Sequence, residues 1–330
     1  TSQLNNNSNS PFNPFRSTLQ TLVLGENIES LPDYAFYDYD VLSSLSLPNS
    51  LVLIGSNAFA DCDNLLSLDT RNVVSVGDFA FANCDRLVQV NIGDSARTIG
   101  NGAFEGCFRM SSANIGKSVQ TIGNNAFSGC IRLVSPALPE TLTSIGASAF
   151  NGCSRFEGML TLPRNLAQIG DSAYSGCSGI TAITAKPTNP PVISENTFAG
   201  ISNEVPVYVP CGRVLNYYVT DYWENFPNIQ EATPFEVSLS SNDNAMGVAV
   251  VTQQPTCNNH QCHIRANANY GYHFLKWTDG NESNPRILEL DSDTAFTAMF
   301  VINNSYISVQ CNDSTMGSVS GSGLYSYNAP

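Results

Sequence analysis

The amino-acid sequence predicts a mainly β protein: a solenoid of about eight 22–24-residue rungs with a C-terminal cap, followed by a small all-β module and the start of a second copy of it. A motif that recurs at a nearly constant period indicates the stacked rungs. A change in residue pattern after residue 234 indicates the separate module. The predicted divisions are a leader (1–18), the solenoid (19–231, cap at about 187–231), the β module (235–301) and a partial second module (304–330).

Each rung carries an aromatic residue, and in most rungs a cysteine follows three positions later. The aromatic column consists of Phe36, Phe59, Phe81, Phe104, Phe127, Phe150, Tyr174 and Phe198. The cysteine column consists of Cys62, Cys84, Cys107, Cys130, Cys153 and Cys177. Because stacked apolar positions bury one another, we expect a core that contains Phe59, Phe81, Phe104, Phe127, Phe150, Cys84, Cys107, Cys130 and Cys153. Rungs about 5 Å apart would permit disulfides, but an evenly repeated column favours packed thiols.

The other rung positions predict how each coil is built. A Leu-x-x-Leu-x-Leu pattern after the cysteine alternates at its end, which predicts a half-buried strand. Leu-Pro or Ile-Gly then ends the strand, as at Leu47-Pro48 and Ile115-Gly116. The Ala-Phe-x-x-Cys stretch is too short for a stable isolated helix and predicts a helical or 3₁₀ turn. Tyr174 lies near the C-terminal end of the column, where we expect its hydroxyl to reach solvent.

These motifs resemble the BspA-like leucine-rich repeats, the treponemal-type class of the leucine-rich repeat superfamily. The Leu-x-x-Leu-x-Leu-Pro strands and the Ile-Gly-x-x-Ala-Phe-x-x-Cys closures carry the resemblance over about residues 19 to 230. Tyr39 replaces the first cysteine, Pro136 interrupts one strand, and the rung at 156–162 has one extra residue. The resemblance implies a surface-exposed adhesin that binds a host or bacterial partner.

The segment after Lys186 predicts a cap over the last rung. Its aromatic residues follow a mostly helical rhythm, and a solenoid needs a cover for its open end. The aromatic and apolar positions are Leu215, Tyr218, Tyr222, Trp223 and Phe226. Similar segments close the last repeat in BspA-like proteins. The alternative is an aromatic platform for a ligand.

Residues 235–301 resemble the internalin B-repeat type of β module, through the run Tyr270–Trp277 and the turn at Asp279–Asn281. A second copy begins at an offset of 70 residues, because 307–317 aligns with 237–247. We expect the sequence to be a fragment of a longer tandem array.

The cluster Cys257-x-x-His260-x-Cys262-His263 is the one part of the sequence that suggests a metal site. Its spacing does not match the usual zinc patterns, and adjacent side chains on a strand point to opposite faces. A Cys257–Cys262 disulfide is the favoured interpretation, with free thiols or zinc as the alternatives. His273, between two aromatic residues, is expected to be structural.

Composition narrows the class of function. A net charge of −14 argues against nucleic acid and anionic membranes as partners. The sequence has no apolar stretch long enough to span a membrane, so no membrane insertion is expected of it. It also lacks a nucleophile elbow, a phosphate loop and a nucleotide fingerprint. We therefore expect a protein that is not an enzyme and needs no cofactor.

Two surface columns are candidate binding sites. The residue two past the cysteine is arginine in four successive rungs: Arg86, Arg109, Arg132 and Arg155. Nearby acids (Asp85, Glu105, Glu157) and solvent could offset these charges, or the arginines could bind anionic groups. The outward strand positions form a polar face that includes Gln89, Asn91, Ser112 and Asn114. The predicted function is recognition of an extracellular protein or glycan at the cell surface or after secretion; the alternative is a structural spacer without a ligand.

Overall fold

In the computed structural model, which describes residues 13–307, 309, 315, 318 and 323–326, the chain divides into two units, Thr1–Glu231 and Ala232–Pro330. The first unit is a β-solenoid, so the predicted fold class is confirmed. Residues 1–12 of the predicted leader and most of the predicted second module lie outside the described residues.

The solenoid has two strand-bearing faces. The long-strand face consists of β1 (Thr21–Val23), β3 (Ser44–Ser46), β5 (Ser67–Asp69), β7 (Gln89–Asn91), β9 (Ser112–Asn114), β12 (Glu157–Leu162), β14 (Gly179–Ala185), β15 (Val207–Val209) and β16 (Ile229–Glu231). The short-strand face consists of β2 (Ser30–Leu31), β4 (Leu53–Ile54), β6 (Ser75–Val76), β8 (Thr98–Ile99), β10 (Thr121–Ile122), β11 (Ser144–Ile145) and β13 (Gln168–Ile169). Neighbouring strands within each sheet pair in parallel, which places equivalent residues of successive rungs beside one another.

The short strands form one sheet of seven, whereas the long-strand face is divided into sheets of two, three and four strands. One division falls at Pro136, where residues 135–137 carry no strand. Proline lacks the backbone N–H that a strand ladder needs, so the ladder cannot continue through it. The Ala-Phe-x-x-Cys stretches form hydrogen-bonded turns rather than 3₁₀ helices. The described helices of this unit are α1 (Val214–Tyr218) and the 3₁₀ helices Asn13–Phe15 and Trp223–Asn225.

The aromatic column forms a continuous stack through the solenoid. Ring centroids lie 5.3 Å apart from Phe104 to Phe127 and from Phe127 to Phe150, with the planes of the latter pair only 3° apart. Rings of this size bury about 150–250 Å² each, which at ~25 cal/mol per Å² stabilises each rung by several kcal/mol. The stack therefore supplies the periodic part of the core.

The cysteine column lies beside the stack, and its six thiols are free and buried. Each thiol donates a hydrogen bond to the backbone carbonyl of the aromatic residue in the preceding rung, as Cys130 Sγ does to Phe104 O at 3.2 Å. The other five cysteines repeat this contact. Burial raises the pKa of these thiols, to about 12 for Cys62. Cysteine at this position therefore fills apolar space and also satisfies a buried carbonyl.

The expectation that the Tyr174 hydroxyl reaches solvent is wrong. The ring is fully buried between Phe150 and Phe198, with centroid distances of 5.3 and 5.7 Å. The cap covers this end of the stack, and the hydroxyl has no hydrogen-bond partner in the described part of the chain.

The cap holds its aromatic residues by hydrogen bonds to proline carbonyls. Tyr217 Oη donates to Pro187 O at 2.8 Å, and Trp223 Nε1 donates to Pro191 O at 2.9 Å. The Trp223 ring lies 5.8 Å from that of Phe198, the last member of the stack. These contacts show that Pro187 and Pro191 anchor the cap, and that Trp223 belongs to the core rather than to a ligand platform.

The second unit contains two three-stranded sheets, ordered β17-β22-β20 and β18-β19-β21, and the pair β23-β24. Its strands are β17 (Val237–Ser241), β18 (Gly247–Gln253), β19 (Gln261–Ala268), β20 (Tyr272–Trp277), β21 (Arg286–Glu289), β22 (Thr294–Ile302), β23 (Asn304–Ile307) and β24 (Gly323–Ser326). Trp277 and Phe300 are central to its buried core. The predicted turn closes with Trp277 N donating to Asn281 O at 2.8 Å.

The favoured Cys257–Cys262 disulfide is wrong. Cys257 is disulfide-bonded, but Cys262 carries a free thiol and is completely buried. The alternation of β19 directs Cys262 into the same core as Ile264, away from the loop that contains Cys257. Within the described residues, no cluster of His, Cys, Asp and Glu has an arrangement that could hold a metal ion.

Candidate binding surface

The arginine column lies on the surface where each rung leaves its turn and enters the long-strand face. Arg86, Arg109, Arg132 and Arg155 are all exposed. Arg86 Nη1 donates to Asn64 Oδ1 of the preceding rung at 2.9 Å. In the described part of the chain, the ion pairs are those of Arg16 with Asp38, Arg71 with Asp69, Lys186 with Glu140 and Arg286 with Asp279. The four stacked arginines therefore have no intramolecular counter-ion among the described residues, and Asp85, Glu105 and Glu157 do not pair with them.

Large apolar side chains lie among these arginines. Phe108 is 48% exposed and Ile131 is 46% exposed, and each directly precedes an arginine of the column. Val88 and Val134 are also exposed on the same segments. We call this surface the arginine edge, defined by Arg86, Val88, Phe108, Arg109, Ile131, Arg132, Val134 and Arg155. Exposed aromatic and arginine side chains in one place are typical of the residues that dominate binding energy at interfaces.

Phe108 and Ile131 were not among the residues predicted from the sequence to bind a partner. Their position directly follows the core cysteine, and in the two preceding rungs it holds Asp63 and Asp85. The signal was therefore present as a change from acidic to apolar residues at one repeat position.

The same surface continues toward the N-terminus with three aspartates, which we call the acidic half of the edge: Asp40, Asp63 and Asp85, in the rungs with aromatics Phe36, Phe59 and Phe81. Partial burial raises the pKa of Asp63, and the negative charges of Asp85, Asp61 and Asp40 raise it further. The carboxylates of successive rungs thus repel one another. The edge is acidic at its N-terminal rungs and basic at its C-terminal rungs.

Some side chains of the polar face hydrogen-bond to one another between rungs, which the sequence did not predict. Parallel pairing places Gln89 beside Ser112 and Asn91 beside Asn114. Asn91 Nδ2 donates to Asp69 Oδ1 at 3.0 Å, and Asn91 Oδ1 accepts from Asn114 Nδ2 at 2.7 Å. Both ends of the Asn91 amide are therefore used within the solenoid. Gln89 and Ser112 are exposed, and neither side chain hydrogen-bonds to another group within the described residues.

Two surface depressions lie elsewhere on the solenoid. One, of about 200 Å³, lies between the last rung and the cap and is lined by Phe198, Asn203 and Tyr222 among others. The other, of about 350 Å³, is a shallow groove along the hydroxyl groups of Ser75, Thr98 and Thr121 on the short-strand face. Neither contains a residue of the arginine edge or of the polar face.

The histidines of the second unit have structural contacts. His260 packs edge-on against Phe235 with ring centroids 5.0 Å apart. The exposed His273 has its Nδ1 atom 2.8 Å from Asn303 Oδ1, and its structural role stays a prediction.

Comparison with known proteins finds the family model described as the BspA type leucine-rich repeat region, which matches in six copies over residues 8–134 and 130–234. A leucine-rich repeat protein from Bacteroides ovatus is 18% identical, with 67% of this chain and 68% of that chain covered and a TM-score of 0.46. The T. pallidum leucine-rich repeat protein is 24% identical, with 46% and 74% covered and a TM-score of 0.34. A leucine-rich cell surface protein from Faecalibacterium prausnitzii is 16% identical, with 64% and 87% covered and a TM-score of 0.32. No curated protein matches the sequence.

Proposed function

Because this chain belongs to the BspA-type leucine-rich repeat family, we propose that it is a non-enzymatic recognition protein of the cell surface or extracellular space, which binds an extracellular protein or glycan through its repeat surface. Family membership supports the surface location. No helix in the described part of the chain is long and apolar enough to cross a membrane.

The observation that carries the proposal is the arginine edge. Four arginines recur at rung spacing without an intramolecular counter-ion in the described structure, and Phe108 and Ile131 are exposed beside them. Arginine presents a planar set of donors that matches carboxylate and sulfate groups, and stacked guanidinium groups in water repel one another. A partner with anionic groups would offset that repulsion while it covers the apolar side chains. Gln89 and Ser112 extend the same surface onto the long-strand face.

The experiment is a binding array of extracellular-matrix proteins and glycans, probed with the full chain and with the variant Arg109→Ser/Arg132→Ser. We expect the variant to bind the recognised partner at least ~10-fold more weakly, since truncation of each central anchor costs more than about 1 kcal/mol.

The matched control is Arg97→Ser/Arg164→Ser, which removes the same charge from two exposed arginines outside the edge. We expect this control to bind like the unchanged protein. Equal loss in both variants would show that only net charge matters and would contradict a specific edge. Absence of any binding partner on the array would contradict the recognition function and favour a structural spacer.

A further inference from the structure

We propose that the arginine edge pairs with the acidic half of the same edge on a second copy of this chain, with the rung order reversed. The inference rests on the proposed function, since it names a partner for the same surface. Three features of the edge support it: the order of its charges, the crowding of those charges within one chain and the position of the exposed apolar residues.

The order of charges is the first argument. The edge spans six rungs, from that of Phe36 to that of Phe150. The position directly after the core cysteine, or after Tyr39 in the first rung, holds Asp40, Asp63 and Asp85 in the first three rungs. The position two residues after the core cysteine holds Arg109, Arg132 and Arg155 in the last three rungs. The edge is therefore acidic in the rungs of Phe36 and Phe59, carries one charge of each sign in the rung of Phe81, and is basic in the last three rungs. Its midpoint lies between the rungs of Phe81 and Phe104. Arg86 lies at this boundary, where its guanidinium is held by Asn64.

Reversal of the rung order brings opposite charges together. A two-fold axis at the midpoint places the first rung of one copy against the sixth rung of the other, the second against the fifth and the third against the fourth. The facing pairs are then Asp40 with Arg155, Asp63 with Arg132 and Asp85 with Arg109 of the second copy. In such an isologous contact each pair occurs twice, so three kinds of pair give six.

Charge crowding within one chain is the second argument. Rungs are about 5 Å apart, which is well within the screening length at physiological salt, so like charges on neighbouring rungs repel one another. The raised pKa of Asp63, caused by burial and then by Asp85, Asp61 and Asp40, shows this crowding on the acidic half. An unrelated acidic partner would neutralise the arginines and leave the aspartates crowded. A second copy of the chain neutralises both halves.

The apolar residues are the third argument. Phe108 belongs to the rung that adjoins the proposed axis, so the rings from the two copies flank the axis about one rung apart. Ile131 lies one rung farther out. Phe108 and Ile131 are 48% and 46% exposed in the single chain. Pairing would remove both from water and surround them with ion pairs, the arrangement of an apolar centre with a polar rim.

The test is sedimentation velocity of the full chain from ~10 to ~500 µM, with single charge reversals of one facing pair. We expect a reversible dimer of the unchanged protein, and at least ~10-fold weaker association for Asp63→Arg alone and for Arg132→Asp alone. Mixing the two single variants should restore a dimer, because the two basic side chains at these positions in one variant then face the two acidic side chains in the other. The double variant Asp63→Arg/Arg132→Asp should dimerise by itself, because each facing pair again joins opposite charges. Arg97→Asp is the control and should behave like the unchanged protein.

A monomeric unchanged protein over this range would overturn the inference, as would reversals that weaken association without rescue in the mixture. Both single variants change exposed side chains, and circular dichroism checks that they fold. The array experiment is run below the dimerisation range. Failure of self-association therefore leaves a partner found on the array standing, and failure of the array leaves the dimer standing.

Discussion

Replacement of Tyr174 by phenylalanine should stabilise the solenoid. The hydroxyl is completely buried and has no hydrogen-bond partner in the described structure, while in the unfolded chain it bonds to water. The ring itself fits the stack, because its plane lies within 18° of that of Phe150 and within 14° of that of Phe198. Phenylalanine would keep these contacts and remove the unsatisfied group. Burial also raises the pKa of this phenol well above its ordinary value, which agrees with a site that does not solvate the hydroxyl.

The expected gain follows from two opposing contributions. An unsatisfied buried hydroxyl costs about 1–3 kcal/mol. Removing one oxygen forfeits a few atom contacts at about 0.1–0.2 kcal/mol each. We therefore expect Tyr174→Phe to raise the free energy of unfolding by about 1–2 kcal/mol.

The assay is guanidinium denaturation followed by tryptophan fluorescence in a Trp277→Phe background. The chain has two tryptophans, so Trp223 is then the single reporter. Its ring lies against Phe198, the neighbour of Tyr174 in the stack, and so reports on this part of the solenoid.

Tyr217→Phe is the matched control. Tyr217 is equally buried, but its hydroxyl donates to Pro187 O at 2.8 Å. Its removal leaves a buried carbonyl without that donor, and we expect a loss of about 1–3 kcal/mol. The two tyrosines should thus respond with opposite signs. A decrease in stability for Tyr174→Phe would refute the reasoning, because it would mean that the hydroxyl is satisfied in the folded protein.

Three further predictions concern the core. Phe104→Ala should lower the free energy of unfolding by about 3–5 kcal/mol in denaturant titrations, because the ring stacks on both Phe81 and Phe127. Phe108→Ala, on the exposed edge, is the control and should change this free energy by less than about 0.5 kcal/mol. Gly123→Ala should lower the free energy of unfolding by about 1–3 kcal/mol in the same titrations, because the added Cβ would lie 2.6 Å from Asn101 N. Gly25→Ala is the control and should be close to neutral, because no atom lies within 4 Å of the added Cβ. Raising the pH from about 9 to about 11 should progressively lower the free energy of unfolding, as measured by equilibrium unfolding. In this pH range a thiol of the unfolded chain, with a pKa near 9, releases its proton, whereas the buried thiols of Cys62 and Cys177, with a pKa raised to about 12, keep theirs. A stability that is flat or rises over this interval would contradict the burial of these thiols.

The periodic part of the fold was predictable because it follows from spacing alone. A residue that returns every 22–24 positions must lie above its equivalent in a stacked coil, so the Phe104–Phe127 contact could be inferred without coordinates. The same argument placed the four arginines in one column. Pro136 also marked correctly where the long-strand face is divided.

Features that depend on individual atoms could not be read from the spacing. The Asn91 side chain was predicted to be available to a partner, but its amide is used by Asp69 and Asn114 because the parallel register aligns them. Cys257 and Cys262 are close in sequence, yet the side-chain alternation of β19 separates them. Phe108 and Ile131 were missed because they occupy a repeat position in only two rungs, so periodicity gave them no weight.

Because every central coil touches its neighbours through the same set of contacts, duplication or loss of one unit of about 23 residues at the gene level would leave a foldable protein. Such length variants would keep the aromatic stack and its thiols. They would, however, displace the point at which the edge changes sign, so that Asp63 and Arg132 would no longer stand at equal distances from it. On the proposed pairing, such a variant would face a second copy of itself with these charges out of register.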